Sequence, residues 1–264
     1  RLGRVYVAGS TSSADLATTP GAVQPDLAGE TDAFVARFEA DGVLSYLTYL
    51  GGSSLDTAHA IAVDADGNAY LVGETLSADF PATPGVLQEA LAWTHDGWVA
   101  KLDASGALAW ATYLGAGASI YAEGALAVAV DAGRHAYVTG RTVDGFPVTP
   151  GAAQEQLGGQ RDAFVAKLLP DASALVYATF LGGPSDEEAT GIAVDGAGAV
   201  YVGGRVLGPD GFPTTPGAFQ ETPIGGGNEG FVAKLAPDGA TFVYATLLGG
   251  SANDQVFDLA LGPE

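Results

Sequence analysis

Four carboxylates stand just ahead of a recurring run of small and branched residues: Asp56, Glu123, Glu187 and Asp254. If the four copies close into a ring, these acids approach its axis from four sides. Like charges brought that near are unfavourable unless a cation or protons compensate. Oxygen ligands favour calcium or magnesium over soft metals. The functional expectation is an axial cation site, with Ca2+ as the cofactor it would take, or an acidic mouth that selects cationic ligands. The competing expectation is structural, with each carboxylate capping its own glycine-rich loop by accepting backbone N–H bonds.

A second acidic series is Asp32, Asp96, Asp162 and Glu229, followed five residues on by Arg37, Lys101, Lys167 and Lys234. Five is an odd offset, so acid and base within one strand point to opposite faces. Links to neighbouring strands or blades are expected instead. All three lysines belong to this series, which leaves none to suggest a Schiff base. A third series, Asp64, Asp131 and Asp195, precedes turns. Asp64-Ala65-Asp66-Gly67-Asn68 has some likeness to the start of a calcium loop but lacks the length and the terminal Glu of an EF-hand. An Asx turn is the expected role.

The three histidines, His59, His95 and His135, show no ligand spacing such as His-x-x-x-His. His59 and His95 fall on the same loop-rich side and form a candidate proton-transfer pair, against the plainer reading of surface or capping residues. His135 belongs to the opposite side. Trp93 occurs in the long loop of one repeat only, beside His95. It could stack on a sugar or a peptide, or anchor its loop. Trp93, His95 and His59 are therefore the candidate ligand-face residues. No Gly-x-Ser-x-Gly elbow, phosphate loop or dinucleotide fingerprint is present, and Gly225-Gly226-Gly227 lacks a strand-to-helix context. No catalytic residue is assigned.

The elements that must position these groups repeat four times. AFVAR at 33–37 returns as GWVAK at 97, AFVAK at 163 and GFVAK at 230, in steps of 64, 66 and 67 residues. A fixed long period that fills the chain marks a solenoid, propeller or array. Each repeat has four β signals. Strand one is Ala60 to Asp64 and its copies at Ala127, Gly191 and Asp258. Strand two is Ala69 to Gly73, matched at Val5, Ala136 and Val200. A connection of about 20 residues then carries Phe80-Pro81-Ala82-Thr83-Pro84-Gly85 or a copy of it, with Leu16-Ala17 replacing Phe-Pro in the first repeat. Its prolines argue against a central strand. Strand three holds the AFVAK motif. Strand four, such as Leu175 to Leu181, ends in a Gly-Gly pair in three repeats.

Four antiparallel strands repeated radially describe a β-propeller blade. The expected fold is all-β: a four-bladed β-propeller of about 66-residue blades in one domain, 1–264, closed by pairing of strand one near the C-terminus (258–262) with strand two near the N-terminus (5–9). Such pairing would remove open edges. A piece of a larger ring, or two chains sharing an eight-bladed one, are the rival architectures. The small residues of strand one suit a crowded axis. Links from strand four to one and from two to three share one side, which becomes the expected ligand face.

Ten basic residues against 31 acidic ones give a net charge of −21, which disfavours nucleic acid and anionic membrane as partners. No apolar run approaches the roughly 20 residues of a membrane helix. With no cysteine there is no disulfide framework and no thiolate chemistry. Methionine is absent even at position 1, so the chain reads as a processed form or a fragment.

Gly-x-Ala-Tyr-x-x-Gly, Phe-Pro-x-Thr-Pro-Gly, Asp-Ala-Phe-Val-Ala-Lys-Leu, Tyr-x-Thr-Tyr-Leu-Gly-Gly and Ile-Ala-Val-Asp together resemble the SBBP family of bacterial β-propeller repeats, with strand order similar to NHL propellers. The resemblance implies a bacterial protein, secreted or attached to the cell surface, often within a larger multidomain chain. It carries no catalytic motif. The expected function is a non-enzymatic binding or scaffold module that takes a protein or carbohydrate ligand, or other copies of itself, on the loop-rich face. The alternatives are a metal-dependent lactonase or lyase that uses the axial acids, and a calcium-linked assembly unit of a fibre or surface layer.

Overall fold

The computed structural model describes residues 3–116, 123–208 and 211–262. They form β-strands and no helix, and hence no helix long and apolar enough to cross a membrane. In the first sheet β1 (Val5–Thr11), β2 (Asp32–Phe38) and β3 (Leu44–Leu50) lie in that order. The second holds β4 (Asp56–Val63), β5 (Ala69–Thr75), β6 (Asp96–Leu102) and β7 (Leu108–Leu114). The third holds β8 (Gly124–Val130), β9 (Ala136–Thr142), β10 (Asp162–Leu168) and β11 (Leu175–Leu181). The fourth holds β12 (Asp186–Val194), β13 (Val200–Leu207), β14 (Glu229–Leu235) and β15 (Phe242–Leu248). Every ladder is antiparallel, and each sheet is one propeller blade with the strand order read from the repeats.

Hydrophobic cores form between blades. Ala33, Val35, Tyr46 and Leu50 of the first pack against Leu71, Trp98, Ala100 and Tyr113 of the second. Tyr70, Val99 and Trp110 of the second meet Val138, Phe164 and Phe180 of the third. Val165, Tyr177 and Leu181 of the third meet Val200, Phe231 and Leu247 of the fourth. A pleated strand sends alternate side chains to opposite faces, so each blade contributes one apolar set forward and one back.

The Pro-rich connection does two jobs. Its Phe sits on the strand-three aromatic of its own blade, Phe80 on Trp98 at 5.1 Å, Phe146 on Phe164 at 4.6 Å and Phe212 on Phe231 at 4.6 Å between centroids. The loop then runs along strand four, where Thr83 N donates to Ala111 O at 2.9 Å and Tyr113 N to Gln88 O at 3.1 Å, with equivalents in the other blades. The outer edge of each blade is thereby covered, as exposed strand edges invite unwanted pairing.

The predicted closure differs from what the structure contains. Residues 252–262 form no strand, and β1 pairs with β2 alone. The tail is nonetheless placed as a strand one. Asp254 N donates to Asn228 O at 2.8 Å, as Glu187 N does to Arg161 O at 2.9 Å and Asp56 N to Thr31 O at 2.7 Å. Val256 N donates to Gly204 O at 3.2 Å, and Thr190 Oγ1 donates to Val256 O at 2.7 Å. These bonds fasten the tail to the fourth blade, while among the described residues it makes no ladder bonds to a partnering strand two.

Candidate functional site

The first acidic series sits where strand four turns into the next strand one. Asp56 accepts from Gly52 N at 2.7 Å and Ser77 Oγ at 2.7 Å, and also from Thr75 Oγ1. Glu123 accepts from Ala116 N at 2.9 Å and Thr142 Oγ1 at 2.6 Å. Glu187 accepts from Gly183 N at 3.0 Å, and Asp254 from Gly250 N at 2.7 Å. The carboxylates cap their own loops. Among the described residues no three His, Cys, Asp or Glu side chains gather as a metal would need. The four acids therefore do not converge into the shared axial site read from the sequence. Each is held back by its local backbone donor.

They do pair with the second series. A Cβ on Gly51 would lie 2.7 Å from Asp32 Oδ1 and 2.9 Å from Asp56 Oδ2, so the loop passes between two acids where only glycine fits. Burial, with Asp96 adding, pushes the Glu123 carboxyl up to about 7. Burial pushes Glu187 to about 9, against the Gly183 bond and with Asp162 and Asp186 adding. Asp56 is also raised, chiefly by burial.

A glutamine that recurs in each repeat, Gln24, Gln88, Gln154 and Gln220, joins these parts. Gln88 Nε2 donates to Asp96 Oδ2 at 2.6 Å, and its Oε1 accepts from Gly115 N at 3.1 Å. Gln24 with Asp32 and Gln154 with Asp162 repeat the arrangement at 2.6 and 2.8 Å. One amide ties the long loop, strand three and the glycine loop together. The lysines look elsewhere, to strand-two tyrosines and to the third acidic series. Lys167 lies 4.8 Å from the Tyr137 ring and 3.9 Å from Asp131, and Lys234 lies 4.7 Å from the Tyr201 ring and 3.8 Å from Asp195. Asp64 accepts from Asp66 N and Asn68 N at 3.0 Å, which is the Asx turn expected. Burial favours protonation of Asp131, but bonds from His135 and Tyr137 outweigh it and hold the carboxyl below its ordinary range.

His59 occupies a bulge in β4, between Ala58 and Ala60, where the ladder skips a residue. Its Nε2 stands 3.5 Å from Glu74 Oε1. His95, whose Nδ1 lies 3.0 Å from Thr94 Oγ1, also acts on Glu74. Burial would raise the Glu74 carboxyl, yet His59, Arg141 and His95 hold it below the usual carboxylate range. Of the two histidines, His59 stands against Glu74 and His95 acts on it only electrostatically. His135 is on the other side, its ring 3.1 Å from Asp131 Oδ2.

From Glu74 a line of alternating charge crosses the inner strands. Arg141 reaches Glu74 at 2.5 Å and Glu188 at 3.2 Å, and Arg205 reaches Glu188 and Gln255 Oε1, each at 3.4 Å. Sequence reading passed over these residues. Their signal was that position six of strand two reads Ser10, Glu74, Arg141, Arg205, changing charge where its neighbours repeat. Trp93 lies on the β5–β6 loop, 56% exposed as a hydrophobic side chain, while Trp98 and Trp110 are buried. Just before Trp93, Leu91 packs on the core and Ala92 N donates to Asp96 Oδ2 at 2.8 Å, which ties the loop to the start of β6.

Residues 46–81 match the SBBP family model, a beta-propeller repeat. The matched span runs from Tyr46 through the Gly51-Gly52 loop, Asp56, β4 and β5 to Phe80-Pro81, crossing a blade boundary. No curated protein matches the chain. With the matched unit repeated on either side of that span, the chain carries the SBBP beta-propeller repeat.

Proposed function

We propose that the chain is a non-catalytic binding or scaffold module, working outside the cell or at its surface, whose loop-rich face presents Trp93 to a protein or carbohydrate ligand. The observation that carries this reading is the exposure of Trp93 on a loop tied down by Leu91 and the Ala92–Asp96 bond, beside His95. An aromatic face held out by a rigid scaffold gives contact area at little entropic cost. The acids of the same face support it in another way, since they are engaged in capping the loops. The extracellular placement rests on the family resemblance.

Tryptophan emission tests the proposal, because Trp93 is the exposed member of three tryptophans. Titration with soluble oligosaccharides and with peptides should shift or quench emission for one class, and Trp93→Ala should abolish that binding without changing the melting temperature. A ligand that binds Trp93→Ala and the parent chain equally well would overturn it. A second reading, acid–base catalysis, draws on His59 and His95 around Glu74. Turnover of a lactone or uronide that disappears in both His59→Ala and His95→Ala would favour that reading over the first.

A further inference from the structure

The three blade junctions share one plan. The strand-four aromatic of one blade reaches the β-turn between strands three and four of the next. Tyr46 covers Gly106, Trp110 Nε1 donates to Pro170 O at 3.0 Å, and Tyr177 covers Gly239. The long loop adds a backbone bond at two junctions, Leu87 N to Ala172 O at 2.8 Å and Ala153 N to Gly239 O at 2.9 Å.

The outer faces of the first and fourth blades are the two halves of this same junction. On the fourth, Tyr244 is 36% exposed where Tyr46, Trp110 and Tyr177 are 5%, 6% and 3%. Leu248 is 47% exposed, and Phe219, at the loop position of Leu87 and Ala153, is 83% exposed. On the first, the Gly42 turn is exposed with nothing within 4 Å of a Cβ, whereas Gly106 and Gly239 lie under aromatic rings. Val5 and Val7 of β1 are exposed where Ala69 and Leu71 of β5 are buried. The tail from Asp254 to Leu259 is seated as a strand one without a strand two beside it, and β1 is a strand two without a strand one.

We propose that a second copy of this chain docks its first blade on the fourth blade of the first copy. The β1 edge of the second copy pairs with the seated tail, and its Gly42 turn receives Tyr244 and accepts the Phe219 N–H. The contact continues the three junctions already in the structure with the same partners at each position. It uses different patches on the two copies, so it is head-to-tail and either closes into a ring or extends. The rival occupants are the first blade of the same chain, brought round to close a four-bladed ring, a further blade supplied by sequence outside residues 1–264, and none at all.

Light scattering on the 264-residue chain over about 1–100 µM tests this, since association by mass action follows concentration. The expected result is twice the chain mass or a higher whole multiple. Tyr244→Arg with Leu248→Arg disables the fourth blade, and Val5→Lys with Val7→Asp disables the first. Each variant should be monomeric alone, and an equimolar mixture should form a dimer through the one junction left intact. A parent chain that stays monomeric and folded across the range, whether its own ends are zipped together or open, overturns the proposal. So does a pair of folded variants that keep the parent's mass when alone, or that fail to combine when mixed with a multimeric parent.

Discussion

At the scale of the residue, Glu187 gives the sharpest expectation. It is fully buried, its Oε2 accepts one backbone bond, and its Oε1 has no hydrogen-bond partner among the described residues. Burial lifts its carboxyl from an ordinary 4.5 to about 9. Between those values the folded chain holds a proton that the unfolded chain has released. Stability from this group is therefore fully present below about 4.5 and is lost as pH rises towards 9. Glu187→Gln keeps an acceptor for Gly183 N and removes the charge. The variant should melt higher than the parent at pH 8, by an amount on the order of 1–3 kcal/mol. The gap should close by about pH 4.5. Thermal unfolding at both pH values is the check, and an equal gap at the two would refute the proton argument.

At the scale of the element, the turn between strands three and four carries each blade junction. Gly239 has φ +75°, and a Cβ there would overlap the Tyr177 ring. Left-handed backbone costs a non-glycine residue about 1–2 kcal/mol, and overpacking adds about 1–3. Gly239→Ala should thus destabilise by about 2–5 kcal/mol, measured by denaturant unfolding. The equivalent turn with Ala172 at φ +55° accommodates its methyl because Trp110 reaches instead to Pro170 O. A Gly239→Ala variant as stable as the parent would mean that Tyr177 can shift in the same way. The strands themselves were legible in the sequence because their apolar residues recur at a fixed period, and strand identity needs only local pattern. The Asx turns of Asp64 and Asp195 were legible for the same reason. The line from Glu74 through Arg141 to Glu188 was not, since its members lie in different repeats and differ in charge, so repetition conceals them. The converging acids failed for a related reason. Fourfold recurrence of Asp56 and its counterparts shows that each blade needs a carboxylate, but it does not show that the four face one another.

At the scale of the whole molecule, charge sets the conditions for both stability and assembly. Net charge is −21, and part of the acidic content lies in buried groups such as Glu123 and Glu187 that are shifted towards the protonated form. The remaining charge is on the surface, where self-repulsion opposes the compact state. Salt screens such charges over about 8–10 Å at physiological strength, while the partly buried pairs of Arg141 with Glu74 and Glu188 are screened less. Raising NaCl from about 20 to about 300 mM should therefore raise the melting temperature by several degrees. A fall with salt would mean that exposed attractive pairs such as Arg134 with Asp66 outweigh the repulsion. The same screening acts between copies. Two chains of equal negative charge repel as the first blade of one nears the fourth blade of the other, while the surfaces to be joined are apolar at Val5, Val7 and Leu248. Apolar burial is strengthened by excluded salts such as sulfate and is not weakened by screening. The multimer should accordingly gain mass fraction as salt rises at fixed protein concentration. A multimer that dissolves with salt would place ion pairs, and not the blade junction, at the contact.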